Sequence, residues 1–225
     1  MKQLLSLFAA VVLGAVVVLA QPVLGPLGND GPFQVRYASN LPIGDSVVNI
    51  TNTGGNFVLP TAGAGVNGAA STSGNICVNV YTFSPDEQLI SCCACPVTPN
   101  ALVSLSARND LISNTLTPGV PTSIVIKLLA SGATGACNAS TVGTLVNPLV
   151  QRGMAAWGTT IHALPVTPGS PATTYGETET PFTNSTLSEA EYERLTGLCG
   201  FIQTNGSGFG ICRSCRFGGL AAVEQ

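Results

Sequence analysis

Eight cysteines constrain this chain more than any other feature: Cys77, Cys92, Cys93, Cys95, Cys137, Cys199, Cys212 and Cys215. In an oxidising compartment an even set reads as a disulfide framework, here of up to four bridges. Cys92 and Cys93 are adjacent. Neighbours on a strand face opposite sides, and a bridge needs closely apposed Cβ atoms, so these two are expected to point apart and take different partners. The remaining connectivity is open.

The N-terminus supplies the compartment. Lys2 precedes an almost unbroken apolar run from Leu4 to Leu19, and Ala20 offers a small residue before Gln21-Pro22. This is the charged, apolar and small-residue order of a secretory signal peptide. Residues 1–20 are therefore expected to be cleaved, residues 21–33 to form an extended Pro/Gly-rich arm, and residues 34–225 a single β-rich domain. No second run is long enough to span a bilayer, so the expected localisation is secreted, periplasmic or extracellular, with no membrane span after cleavage.

Charged residues are 8% of the chain, against about 25% in an average globular protein. The surface must then be built from Thr, Ser, Asn and Gly, which suits an extracellular β protein. Nothing basic clusters to neutralise phosphates, so nucleic acid is not an expected partner. Weak self-repulsion permits self-association or a cell-surface partner.

Periodicity predicts the elements. Residues 35–53 read as one or two strands bent at Pro42-Ile43-Gly44-Asp45, and residues 61–75 as a loop. Residues 76–83 alternate with both faces at least partly covered, and Ser84-Pro85-Asp86 turns the chain. Pro96 and Pro99 end the cysteine cluster. Residues 102–116 form a strand with a polar turn at Arg108-Asn109-Asp110, residues 122–130 a buried strand, and residues 154–164 another. Lys127 reads as a lysine guarding a strand edge. Residues 165–181, rich in Pro, Thr and Gly, read as a long surface loop.

Ser188-Glu189-Ala190-Glu191 is a capping box, and Leu187, Glu191, Leu195, Leu198 and Ile202 follow helical spacing, which predicts a helix over 189–203. The expected fold is thus mainly β: a sandwich or barrel-like domain with one C-terminal α-helix, braced by disulfides.

Chemistry is less legible. Cys92, Cys93 and Cys95, with Cys212 and Cys215, could form a tetrahedral sulfur cage for zinc. Cys212 and Cys215, beside Arg213 and Arg216, could exchange disulfides through a lowered thiol pKa. Structural bridges are the plainer reading, because exported thiols oxidise and the predicted helix precedes the pair instead of following it. His162 is the only histidine, with no nucleophile elbow to partner it. The acids at Asp86-Glu87, Glu177/Glu179 and Glu189/Glu191/Glu193 read as turn and capping groups. The glycine-rich stretch after Asn205 follows a helix, so no helix dipole faces a phosphate there. No catalytic residue, cofactor site or metal site is assigned.

The stretch Asn75-Ile76-Cys77-Val78-Asn79-Val80-Tyr81, the run from Ser84 to Cys93, the run from Arg108 to Leu116, and the run from Cys199 to Cys212 resemble a group of uncharacterised secreted acidobacterial proteins. The resemblance covers most of the chain beyond the leader. It implies an exported bacterial protein and carries over no activity and no functional residue.

Three functional classes follow. The first is an exported structural or interaction protein of the bacterial cell exterior. The second is a monomeric extracellular binding module for a glycan or protein, working through its loops. The third is an enzyme or metal/redox protein using the cysteine clusters.

Overall fold

The computed structural model describes residues 30–55, 74–112, 119–133, 136–144, 147–148, 150–164, 175–205 and 210–212. Residues 1–29, with the leader and most of the arm, lie outside them, as do most of the loop expected over 61–75 and Cys215.

The elements run β1 (Phe33–Ser39), β2 (Val47–Asn52), β3 (Ile76–Phe83), β4 (Leu89–Val97), β5 (Leu102–Ser106), a π-helical turn (Ala107–Leu111), β6 (Ser123–Gly132), β7 (Gly143–Thr144), β8 (Asn147–Pro148), β9 (Met154–Ala163), β10 (Tyr175–Pro181), β11 (Thr183–Asn184) and helix α1 (Glu189–Thr204). Two open antiparallel sheets carry the fold. One has the order β11-β1-β6-β3-β4, the other β10-β9-β2-β5, and β7 pairs with β8 alone. The sheets form a sandwich and not a closed barrel.

Period-two alternation explains the layers. On β3, Ile76, Val78 and Val80 join Ile124, Ile126 and Leu128 of β6, Val48 and Ile50 of β2, and Val103 and Leu105 of β5 in the inter-sheet core. The opposite parity of β3, Tyr81 and Phe83, meets Leu129, Tyr192, Leu195 and Cys199 in a second core under α1. The five-stranded sheet is therefore covered on both faces, which is why all eight residues of β3 are buried. Each fully buried Leu or Ile here contributes about 1.5–3 kcal/mol.

Several expectations need correction. Pro96 does not end the cysteine cluster; β4 runs through it to Val97. Cys92 N–H points away from β3, to the Gly210 carbonyl at 2.7 Å, and Pro96 shares that parity. Its missing N–H therefore costs no ladder bond. Residues 175–181 form β10, paired with β9, in place of loop.

Lys127 guards no edge. Its strand lies between β1 and β3, and its ammonium pairs with Glu191 of α1 while sitting 4.7 Å from the Phe83 ring centroid. The capping box is half made: Ser188 Oγ accepts from Glu191 N–H at 3.2 Å, but the Glu191 carboxylate goes to Lys127. The inward line of α1 is Tyr192, Leu195 and Cys199, so Leu198 is turned outward.

One cation lies between the sheets. Arg36 has the inward parity of β1 and is 7% exposed. Its guanidinium donates to the Thr180 carbonyl and to Thr160 Oγ1, each at 2.8 Å, and lies 5.9 Å from the Phe182 ring centroid. Burial lowers its pKa from the ordinary arginine value, and the charge of Glu179 partly opposes that. Gly158 leaves room for it: a Cβ there would stand 2.7 Å from Arg36 Nε.

Candidate functional site

The candidate residues from the sequence are cysteines, and the structure places them as braces. Cys77 joins Cys137, Cys92 joins Cys199, and Cys93 joins Cys212, with Cα separations of 5.5, 5.8 and 5.2 Å. Cys95 is disulfide-bonded as well. A sulfur cage or an exchange pair would require these same atoms as thiolates. Among the described residues no cysteine is free, and no group of three or more His, Cys, Asp or Glu is placed to hold a metal ion.

The bridges fasten distinct parts to β3 and β4. Cys92 lies on the face of β4 that meets α1, and Cys199 is on that helix. Cys93 lies on the inter-sheet face with Cys212. Residues 210–212 run alongside β4: Cys92 N–H donates to Gly210, and Cys212 N–H donates back to the Cys92 carbonyl at 3.3 Å. Gly210 adopts φ +76°, and a Cβ there would stand 3.2 Å from the Ile90 carbonyl, so glycine suits this close approach.

His162 is exposed on β9, where its Nε2 shares a 2.6 Å hydrogen bond with Thr178 Oγ1 of β10. Of the acids, Glu87 and Glu191 meet only across Arg194, at 3.4 and 4.0 Å from its guanidinium. Glu177 and Glu179 lie on β10, Glu191 pairs with Lys127, and Asp86 and Glu87 sit at the β3–β4 turn.

That turn forms one side of a groove of about 670 Å³, and α1 forms the other. The hairpin brings Leu89 and Ile90 beneath Asp86 and Glu87. The helix brings Arg194, Leu198, Phe201 and Ile202, whose spacing puts them on one helical face. Arg194 spans the groove, donating to the Glu87 carbonyl at 2.9 Å while its guanidinium lies 5.1 Å from the Phe83 ring centroid. Leu198 is 37% exposed and Phe201 71%. The Cys92–Cys199 bridge explains this orientation, because it turns Cys199, with Leu195 and Tyr192, to the sheet and leaves Leu198 and Phe201 beside the hairpin.

Sequence reasoning grouped Leu198 with the buried stripe and did not single out Phe201. The readable signal was Cys199 itself: a cysteine in a helix of an oxidised protein sets which face is inward. Among the described residues no helix is long and apolar enough to cross a membrane. Compared with protein-family models, curated proteins and solved structures, the chain matches none of them.

Proposed function

We propose that the chain is an exported structural or interaction protein of the bacterial cell exterior, which associates with copies of itself through the groove between α1 and the β3–β4 turn. The apolar leader and the disulfides support export. The observation that carries the interaction is Phe201, 71% exposed, next to the groove. A protruding apolar ring and a hollow on the same surface are what a two-fold interface requires, since each copy offers the knob and receives the other's.

Burying one phenyl ring is worth about 1.5–3 kcal/mol. Two symmetric anchors then suit a weak, concentration-dependent dimer. Sedimentation velocity from micromolar to about 1 mM tests this, because 1 mM corresponds to about 4 kcal/mol. Wild type is expected to shift to dimer with concentration, and Phe201→Asp to remain monomeric. A wild type that stays monomeric throughout the range, or a Phe201→Asp variant that dimerises equally, would overturn the reading.

A further inference from the structure

Strand β10 ends its sheet, and six of its seven residues are exposed, on both faces. It pairs with β9 along its whole length, from Tyr175 opposite Ala163 to Pro181 opposite Trp157. The register continues one step further, where Phe182 N–H donates to the Ala156 carbonyl at 2.8 Å. In an antiparallel ladder, residues that exchange bonds with the neighbour alternate with residues whose N–H and C=O face the other way. Counting back from Phe182, the bonded positions are Thr180, Thr178 and Gly176. Tyr175, Glu177 and Glu179 therefore turn their backbone groups outward.

Other edges of the two main sheets are short or covered in part. Residues 210–212 lie along β4. On β5, the outward Ser106 N–H is taken by the Asp110 carboxylate at 2.6 Å. β11 is only two residues long. β10 is longer, and among the described residues no second strand pairs with it.

An open edge is a template for one more strand, and the side chains beside it select which. Glu177 and Glu179 stand two residues apart, on the same face of the sheet. A second copy of β10, added antiparallel about Thr178, would set Glu177 against Glu179, and directly opposed like charges destabilise a pair of strands. A strand with lysine or arginine at alternate positions would set the opposite charge beside both glutamates, of which Glu179 also accepts from Asn49 Nδ2 at 3.2 Å.

We propose that β10 accepts an extended segment of a partner protein, basic at alternate positions, as a fifth strand of the four-stranded sheet. The main chain supplies the attachment, and Glu177 and Glu179 supply the choice. This surface is separate from the groove at α1, and the inference stands without the self-association proposed above.

The probe is a synthetic peptide, Thr-Lys-Val-Lys-Thr-Lys-Val, added to the full mature protein. Binding is read by fluorescence anisotropy, and the site by amide hydrogen exchange. At saturation the Glu177 and Glu179 amides are expected to exchange at least tenfold more slowly. A peptide with its lysines clustered, and one N-methylated on its pairing amides, should each bind at least tenfold more weakly. The variant Glu177→Lys/Glu179→Lys should lose binding, with exchange in β3 and β6 confirming that it is folded. Phe201→Asp should bind like wild type, which separates this test from that of the groove.

Unchanged exchange at both glutamate amides would overturn the proposal. So would equal affinity for the clustered peptide, which would mean charge alone. Protection of these amides in concentrated protein without peptide would also overturn it, by making a second copy the occupant.

Discussion

Cys92 and Cys93 are consecutive, yet their bridges leave opposite faces of β4: Cys92 to Cys199 in the helix layer, Cys93 to Cys212 in the inter-sheet core. One edge strand thus fastens both α1 and the segment that covers its own edge. Partial reduction with stepwise alkylation and mass spectrometry should recover these two pairs and Cys77–Cys137. Cys95 is bonded as well, so it should resist alkylation until the protein is reduced. Recovery of Cys92 or Cys93 with any other partner would refute this arrangement.

Removing the helix bridge tests its contribution to stability. Cys92 and Cys199 are 107 residues apart, and closing a loop of that size restricts the unfolded chain strongly. The double variant Cys92→Ser/Cys199→Ser should lose about 2–5 kcal/mol in urea unfolding. It should also release protection of amides in α1 before those of β3 and β6. A loss under about 1 kcal/mol would show that packing of Tyr192 and Leu195 holds the helix without the bridge.

Arg36 should resist replacement, including by lysine. Its planar fork reaches Thr160 and Thr180 at once, from a strand more than a hundred residues away in sequence. Arg36→Ala orphans those acceptors and leaves a gap beside Gly158, for an expected loss of about 2–4 kcal/mol. Arg36→Lys keeps the charge but cannot span both partners, and should recover less than half of that loss. The check is the urea midpoint at unchanged m-value. A lysine variant as stable as wild type would contradict the fork's role.

The residues that were legible in sequence are those whose neighbours in the chain already state their environment. Ile76 to Phe83 alternate and are apolar on both parities, and the structure starts and stops β3 at those two residues. Ser188 and the acids after it start α1. β10 was illegible because it is exposed on both faces, so no apolar alternation marks it, and its pairing comes from β9. Lys127 resembled an edge residue because nothing near it in sequence predicts a helix some sixty residues later laid over that face with Glu191 in reach. The groove joins Leu89 and Ile90 to Leu198 and Phe201, and no local pattern records a contact between segments so far apart.

Lys127 and Glu191 couple the helix to the sheet. Both side chains are mostly buried, at 18% and 22% exposure, and the Lys127 ammonium also faces the Phe83 ring. An exposed ion pair is worth about 0.2–1 kcal/mol, so this more shielded one should give a coupling of about 1 kcal/mol or more. A double-mutant cycle with Lys127→Met and Glu191→Gln measures it. The coupling should persist in high salt, because burial limits screening. Additive single effects would reduce the pair to a surface contact.

Alkaline pH should expose the burial of Tyr81. Its ring is fully buried and its hydroxyl donates to the Ala139 carbonyl at 2.6 Å. Burial raises its pKa well above the ordinary tyrosine range, and the charge of an ionised Tyr192 adds to the shift. Burial raises Tyr192 in the same direction. A group whose pKa is raised in the folded state stabilises the fold fully below its unfolded value, about 10 for tyrosine, and that stability is lost as pH rises toward the folded value. The folded protein holds the proton while the unfolded chain releases it, so unfolding gains ground at about 1.4 kcal/mol per pH unit for Tyr81 alone. Urea unfolding from about pH 8 to pH 11 should therefore be flat at first and then fall. Tyr81→Phe should be less stable near pH 8 by about 1 kcal/mol, for the hydrogen bond to Ala139, and should fall less steeply above pH 10. Parallel curves for wild type and Tyr81→Phe would mean that the phenol ionises in the folded protein, which a phenolate absorbance titration would show directly.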